Sequence, residues 1–177
     1  MIEAEHQLTI DTGIHQVWDY VQDISKWAVL FPGCRECEII DEHNSKWVIK
    51  VGAGGMVKTV NVLVHVEQWD GPEGVDFSFE LASEPVVGSG TYRASALGSQ
   101  ETAVNLTLRV EGSGQMAPMW EAMSKPLLPQ MAKSFSNKLK TEIETAAGLA
   151  VETKPSLLAR LRHWLQRLFG GKTHHTP

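Results

Sequence analysis

Apolar and polar positions alternate with a period of two along most of this chain, and the period lengthens to between three and four near its last third. Ile2, Ala4, His6, Leu8 and Ile10 alternate with Glu3, Glu5, Gln7 and Thr9, which predicts a strand with one buried face. Asp11 or Thr12 is then placed to cap a helix carrying Ile14, Val17, Trp18 and Val21 on one side. A second short helix is expected over Ile24 to Leu30, stopped by Pro32-Gly33. From Cys37 to Val110 the pattern is strand, punctuated at Gly52 to Gly55, Asp70-Gly71-Pro72, Gly88 and Gly98. Val60, Val62, Val64 and Val66 face away from Asn61, His65 and Glu67, and Val75, Phe77, Phe79 and Leu81 away from Asp76, Ser78 and Glu80. Val104, Leu106, Leu108 and Val110 repeat the alternation. One apolar and one wet face per strand predicts an antiparallel sheet covered on one side.

The cover is a long helix over about Met116 to Ala147, where Met119, Met123, Leu127, Met131, Phe135, Leu139 and Ile143 recur every four positions beside Trp120 and Leu128. Pro126 and Pro129 each remove a backbone donor and are expected to bend this helix or break its first turns, and Gly148 is expected to stop it. The order of elements predicts an α+β fold, a curved antiparallel sheet wrapped around a long C-terminal helix. It occupies residues 1–149, followed by a linker at 150–156, an amphipathic helix at 157–170 and a disordered end at 171–177. A chain of 177 residues, 42% hydrophobic and 21% charged, fits one such domain.

Charge changes the picture at the C-terminal end. Residues 154 to 177 hold Lys154, Arg160, Arg162, Arg167 and Lys172 and no acid, a charge of +5; the rest carries 11 of the 16 basic residues against all 21 acids, a charge of −10. An acidic body is repelled by nucleic acid, and a basic tail is drawn to an anionic surface. Leu157, Leu158, Leu161, Trp164, Leu165, Leu168 and Phe169 fall within an arc of about 140°, with Arg160 and Arg167 on the opposite arc and Arg162 at the border. Thirteen helical residues reach only about 20 Å, so such a helix lies on a membrane and does not cross its roughly 30 Å hydrocarbon layer. The same pattern also suits docking onto the acidic body or onto a partner protein.

Candidate chemistry is sparse. Cys34 and Cys37 form a lone Cys-x-x-Cys without the further ligands a zinc site needs, so no metal is expected, and a turn leading into a strand explains them as well. No nucleophile elbow, metal-binding His pair or phosphate loop is present. Met1 to Asp11 lacks the basic start and apolar block of an export signal, so a cytoplasmic location is expected. The inward positions Val60, Val62, Val64, Phe77, Phe79, Tyr92, Leu106, Leu108, Met119, Met123, Leu127, Met131 and Phe135, with His6, converge on the space between sheet and helix. They either fill a core or line a cavity for a flat apolar guest, for which adaptable methionines are well suited. A catalyst would have to use His6 or Tyr92; no catalytic residue is assigned.

Several segments resemble the START-like, or SRPBCC, helix-grip superfamily, and in particular the branch of small accessory proteins that accompany carbon monoxide dehydrogenase. They are IHQVWDYVQDISKWAVLFPGCRECE, with its Pro-Gly-Cys turn; WVIKVGAGGMVKTVNVLVHVEQWD, with its Val-Gly hairpin; VVGSGTYRASAL; and the Met-rich closing helix. Cys37, Pro126 and Pro129 depart from the branch's pattern. The resemblance covers roughly residues 1 to 147 and favours the cavity over the filled core. It implies a lipophilic guest such as a quinone, no covalently bound cofactor, and recruitment of a molybdenum hydroxylase of the carbon monoxide dehydrogenase type to the cytoplasmic membrane face. Two alternatives stay open: an enzyme similar to the polyketide cyclases of the same superfamily, and a pure protein-interaction component.

Overall fold

The structure is a computed structural model that describes residues 1–53 and 55–148. Strand β1 (Ile2–Ile10) buries Ala4 and Ile10 and exposes its glutamates, as its alternation requires. Helix α1 (Ile14–Val21) follows, but neither expected residue caps it. The cap is Gly13, which lies so close to the Ser99 carbonyl that a Cβ there would stand 2.7 Å from its oxygen. Thr12 is instead tied to the sheet, its buried carbonyl accepting from Thr102 Oγ1 at 2.7 Å. Helix α2 (Ile24–Ala28) ends two residues before the expected Leu30 and is capped by Asp23, whose carboxylate accepts from the Ser25 N–H.

Gly33, with φ +83, turns the chain into β2 (Cys34–Ile39), which therefore starts three residues earlier than the pattern indicates. The meander continues through β3 (Asn44–Ala53), β4 (Met56–Asp70), β5 (Gly74–Leu81), β6 (Val86–Gly98) and β7 (Glu101–Gly112). These form one seven-stranded sheet in the order β1-β7-β6-β5-β4-β3-β2, antiparallel throughout. Its inner face is apolar. Its outer face carries ion pairs, among them Arg109 with Glu3 and Arg93 with Asp76.

After a 3-10 turn at Gly114–Met116, helix α3 (Ala117–Ala146) closes the inner face. The expected break at Pro126 and Pro129 does not occur, and the helix runs through both. Each proline removes only its own donor, while burial of Trp120, Ser124, Leu128 and Met131 holds the turns around them in place. Gly148, at φ +74, ends the helix, donating its N–H to the Thr145 carbonyl at 3.0 Å. Helix α3 packs chiefly on β1 and β7 and touches β3 only lightly. Among the described residues no helix is long and apolar enough to cross a membrane. The expected linker, amphipathic helix and terminal segment lie outside the described residues.

Candidate functional site

Because α3 lies over one side of the curved sheet, the inner face of β3, β4 and β5 is left partly uncovered, and a cavity of about 160 Å³ remains between α3 and strands β3 to β7. Val60, Val62 and Val64 supply its β4 wall because their shared parity points them inward. The β5 wall is made by Phe77 and Phe79, which pair in register with Gly90 and Gly88 of β6. A Cβ on Gly90 would stand 2.1 Å from Phe77 Cζ, and one on Gly88 2.2 Å from Phe79 Cζ. The two rings occupy the room that side chains on β6 would need, so the glycines set where the wall stands.

An aromatic cluster closes another side. Trp27 packs edge-on to Trp47 with ring centroids 5.3 Å apart, Phe31 lies 5.9 Å from Trp47, and Phe31 reaches Phe135 of α3 at 6.2 Å. From α3 come Trp120, Met123, Leu127, Met131 and Phe135. Lys58 sits over the Trp120 ring, 5.4 Å from its centroid, and is ion-paired with Glu84 beyond the end of β5.

Of the residues read from the sequence, Val60, Val62, Val64, Phe77, Phe79, Tyr92, Leu106, Leu108, Met123, Leu127, Met131 and Phe135 line this cavity. Met119 and His6 do not. Met119 packs against the core outside the lining. His6 is on edge strand β1, opposite Leu106, on the part of the sheet where α3 packs most closely. The alternation nevertheless puts both on the correct apolar side. Among the lining residues it misses are Trp27, Phe31, Trp47, Ile49 and Val51. The last three alternate Trp47-Ile49-Val51, so a period-two signal is present in β3; Trp27 and Phe31 enter from the α2 region and carry no such signal.

No carboxylate, Lys, Arg or His lines the cavity among the described residues. Its single strongly perturbed titratable group is Tyr92, which is 4% exposed and whose hydroxyl pKa burial pushes far above the ordinary tyrosine value. That hydroxyl has no hydrogen-bond partner among the described residues, and neither do the indole Nε1 groups of Trp27 and Trp120. Cys34 and Cys37 lie on β2, half-buried and outside the lining, and burial raises both thiol pKa values. Among the described residues no group of three or more His, Cys, Asp or Glu side chains is placed to hold a metal. Such a site encloses apolar surface and offers almost nothing that moves a proton.

The profile of the polyketide cyclase / dehydrase and lipid transport family matches residues 1–144. Among solved structures, a conserved protein from Geobacillus kaustophilus superposes with a TM-score of 0.71 at 18% identity, over 82% of this chain and 97% of that one. The ZhuI aromatase/cyclase from Streptomyces sp. R1128 gives 0.59 at 19% identity, over 81% and 93% of the two chains. A START superfamily protein from Mycobacterium smegmatis gives 0.59 at 13% identity, over 79% and 98%. At these identities the likeness is one of fold. No curated protein matches the chain.

Proposed function

Because this chain belongs to the polyketide cyclase / dehydrase and lipid transport family, we propose that it is a non-enzymatic carrier of a lipophilic small molecule, held in the cavity between β3–β7 and α3. The observation that carries this reading is a lining of mostly aliphatic, methionine and aromatic side chains, joined by Thr91, Thr107 and Ser124, with no charged residue among them. A dry apolar cavity of roughly 150 Å³ takes one benzene-sized ring. The guest is accordingly a one-ring head such as that of a quinone.

The resemblance to the accessory proteins of carbon monoxide dehydrogenase extends the proposal to place and partner. The basic amphipathic segment from Leu157 to Phe169 holds the protein on the anionic cytoplasmic face of the cell membrane, where it recruits a molybdenum hydroxylase. Ending the chain after Glu152 is expected to leave a folded body that no longer sediments with anionic vesicles. Sedimentation equal to that of the full chain would remove the anchoring part. Native mass spectrometry of the full chain from its own cells tests the carrier part: a bound lipophilic adduct is expected, and a bare chain that also takes up no added quinone would end it.

The family's description gives a second reading, a cyclase. With His6 away from the cavity, Tyr92 is the residue such an enzyme would have to use. A turnover abolished by Tyr92→Phe would favour it; a guest held unchanged in chemistry favours the carrier.

A further inference from the structure

Cys34 and Cys37 are three residues apart on β2, a spacing that in a regular strand sets two side chains on opposite faces, about 10 Å apart. The register of β2 on β3 is not regular. Cys34 pairs with Ile49, Glu36 with Val48 and Cys37 with Trp47, so Arg35 is an extra residue with no partner on β3. This is a β-bulge, and it shortens the three-residue step to two pairing positions. Residues directly opposite each other in an antiparallel pair share a face, and Ile49 and Trp47 both face inward, since both line the cavity. Both cysteines are therefore on the inner face, where Cys37 packs against the core. Two positions along a strand span about 6.6 Å, inside the roughly 4.4–6.8 Å between Cα atoms that a disulfide bridges.

Neither thiol is committed elsewhere. Both are free and half-buried, and the chain has no third cysteine to compete. Cys34 Sγ makes one long contact, donating to the Glu36 carbonyl at 3.5 Å. Burial first, and then the charge of Cys34, raise the Cys37 thiol pKa, so the two sulfurs are near enough to feel one another. We infer that the bulge at Arg35 makes Cys34 and Cys37 a reversible dithiol–disulfide pair at the β2 border of the cavity wall, oxidised by a low-molecular-weight disulfide. One cysteine, as its thiolate, attacks a sulfur of that disulfide and expels one small thiol. The other then attacks the protein sulfur of the mixed disulfide and expels the second. Two electrons pass from the protein to the small molecule, and the two cysteine protons end on the released thiols. The inference does not depend on what the cavity holds.

The test equilibrates the full chain with mixtures of reduced and oxidised glutathione, blocks the remaining thiols, and cuts with trypsin without reduction. Arg35 stands between the cysteines, so cleavage after Lys26, Arg35 and Lys46 separates peptide 27–35 from peptide 36–46. The two peptides should be found joined, two hydrogens lighter than their sum, in a chain of monomer mass that carries no glutathione, and a reductant should part them. Cys34→Ser and Cys37→Ser should each hold one glutathione on the cysteine that remains. The folded chain should close the bond at a severalfold lower ratio of oxidised to reduced glutathione than the chain unfolded in urea. Separate peptides, each bearing glutathione or a blocked thiol, would overturn the inference. So would a link found only in covalent dimers, or one that needs as oxidising a mixture in the folded chain as in the unfolded. The unmodified chain decides the matter even if a variant does not fold.

Discussion

The two halves of the sheet's inner face are built from the same kinds of residue and end differently. Over β1 and the adjoining part of β7, helix α3 lies directly on the strands and Ile10, Val17 and Ile143 are sealed in the core, while Leu106 and Leu108 of β7 line the cavity. Over β3, β4 and β5 the helix is farther off, and the space is spanned by Trp27, Phe31, Trp47 and Phe77 with a cavity left among them. Apolar composition therefore does not decide between core and cavity; the seat of the closing helix on a curved sheet does. The polar groups differ in the same way. On the outer face Arg93 reaches the Asp76 carboxylate and two backbone carbonyls, while around the cavity Tyr92 and two tryptophans have no partner among the described residues.

The sharpest way to break this comparison is to truncate one side chain in each half. Ile143→Ala, at a residue 2% exposed on the filled side, should cost about 2–5 kcal/mol in denaturant unfolding, the range for a large buried side chain. Leu127→Ala, at a half-buried position lining the cavity, should cost only about 1 kcal/mol, because less packing surrounds it. Equal losses would mean the two halves are packed alike. Filling the hollow comes next. Ala132→Leu, on the lining face of α3, should change stability by no more than about 1 kcal/mol, yet weaken an apolar probe about tenfold or more.

The smallest effect is one of pH. The pKa of Tyr92 is raised in the folded state by burial, so below the unfolded value, about 10, both states hold the proton and stability is fully present. Above it the unfolded state ionises first, and stability is lost as pH rises. Tyr92→Phe should remove that component of the alkaline loss and change neutral-pH stability by less than about 1 kcal/mol, as read from denaturation midpoints across pH.

Strand parity and helical spacing are sufficient for the order of elements, the antiparallel sheet and most of the cavity wall, because Val60, Val62, Phe77 and Met131 reveal their facing through period alone. What is not legible depends on contacts between distant segments. Gly13 rather than Thr12 caps α1 because the Ser99 carbonyl lies against it. His6 shares the inner face yet misses the cavity because α3 covers β1, and Trp27 joins it from a five-residue helix too short to show a period. The uninterrupted α3 is a case of tertiary packing overriding the local effect of Pro126 and Pro129.

The chain's methionines offer a direct probe of the central claim, since Met123 and Met131 line the cavity, Met119 lies outside the lining, and Met1 and Met116 are exposed. With their methyl groups carbon-13 labelled, titration with an apolar one-ring guest should shift the Met123 and Met131 signals and give guest-to-methyl contacts there, while Met1 and Met116 stay still. Saturating guest that leaves Met123 and Met131 unmoved, or that touches only the exposed methionines, would contradict the account.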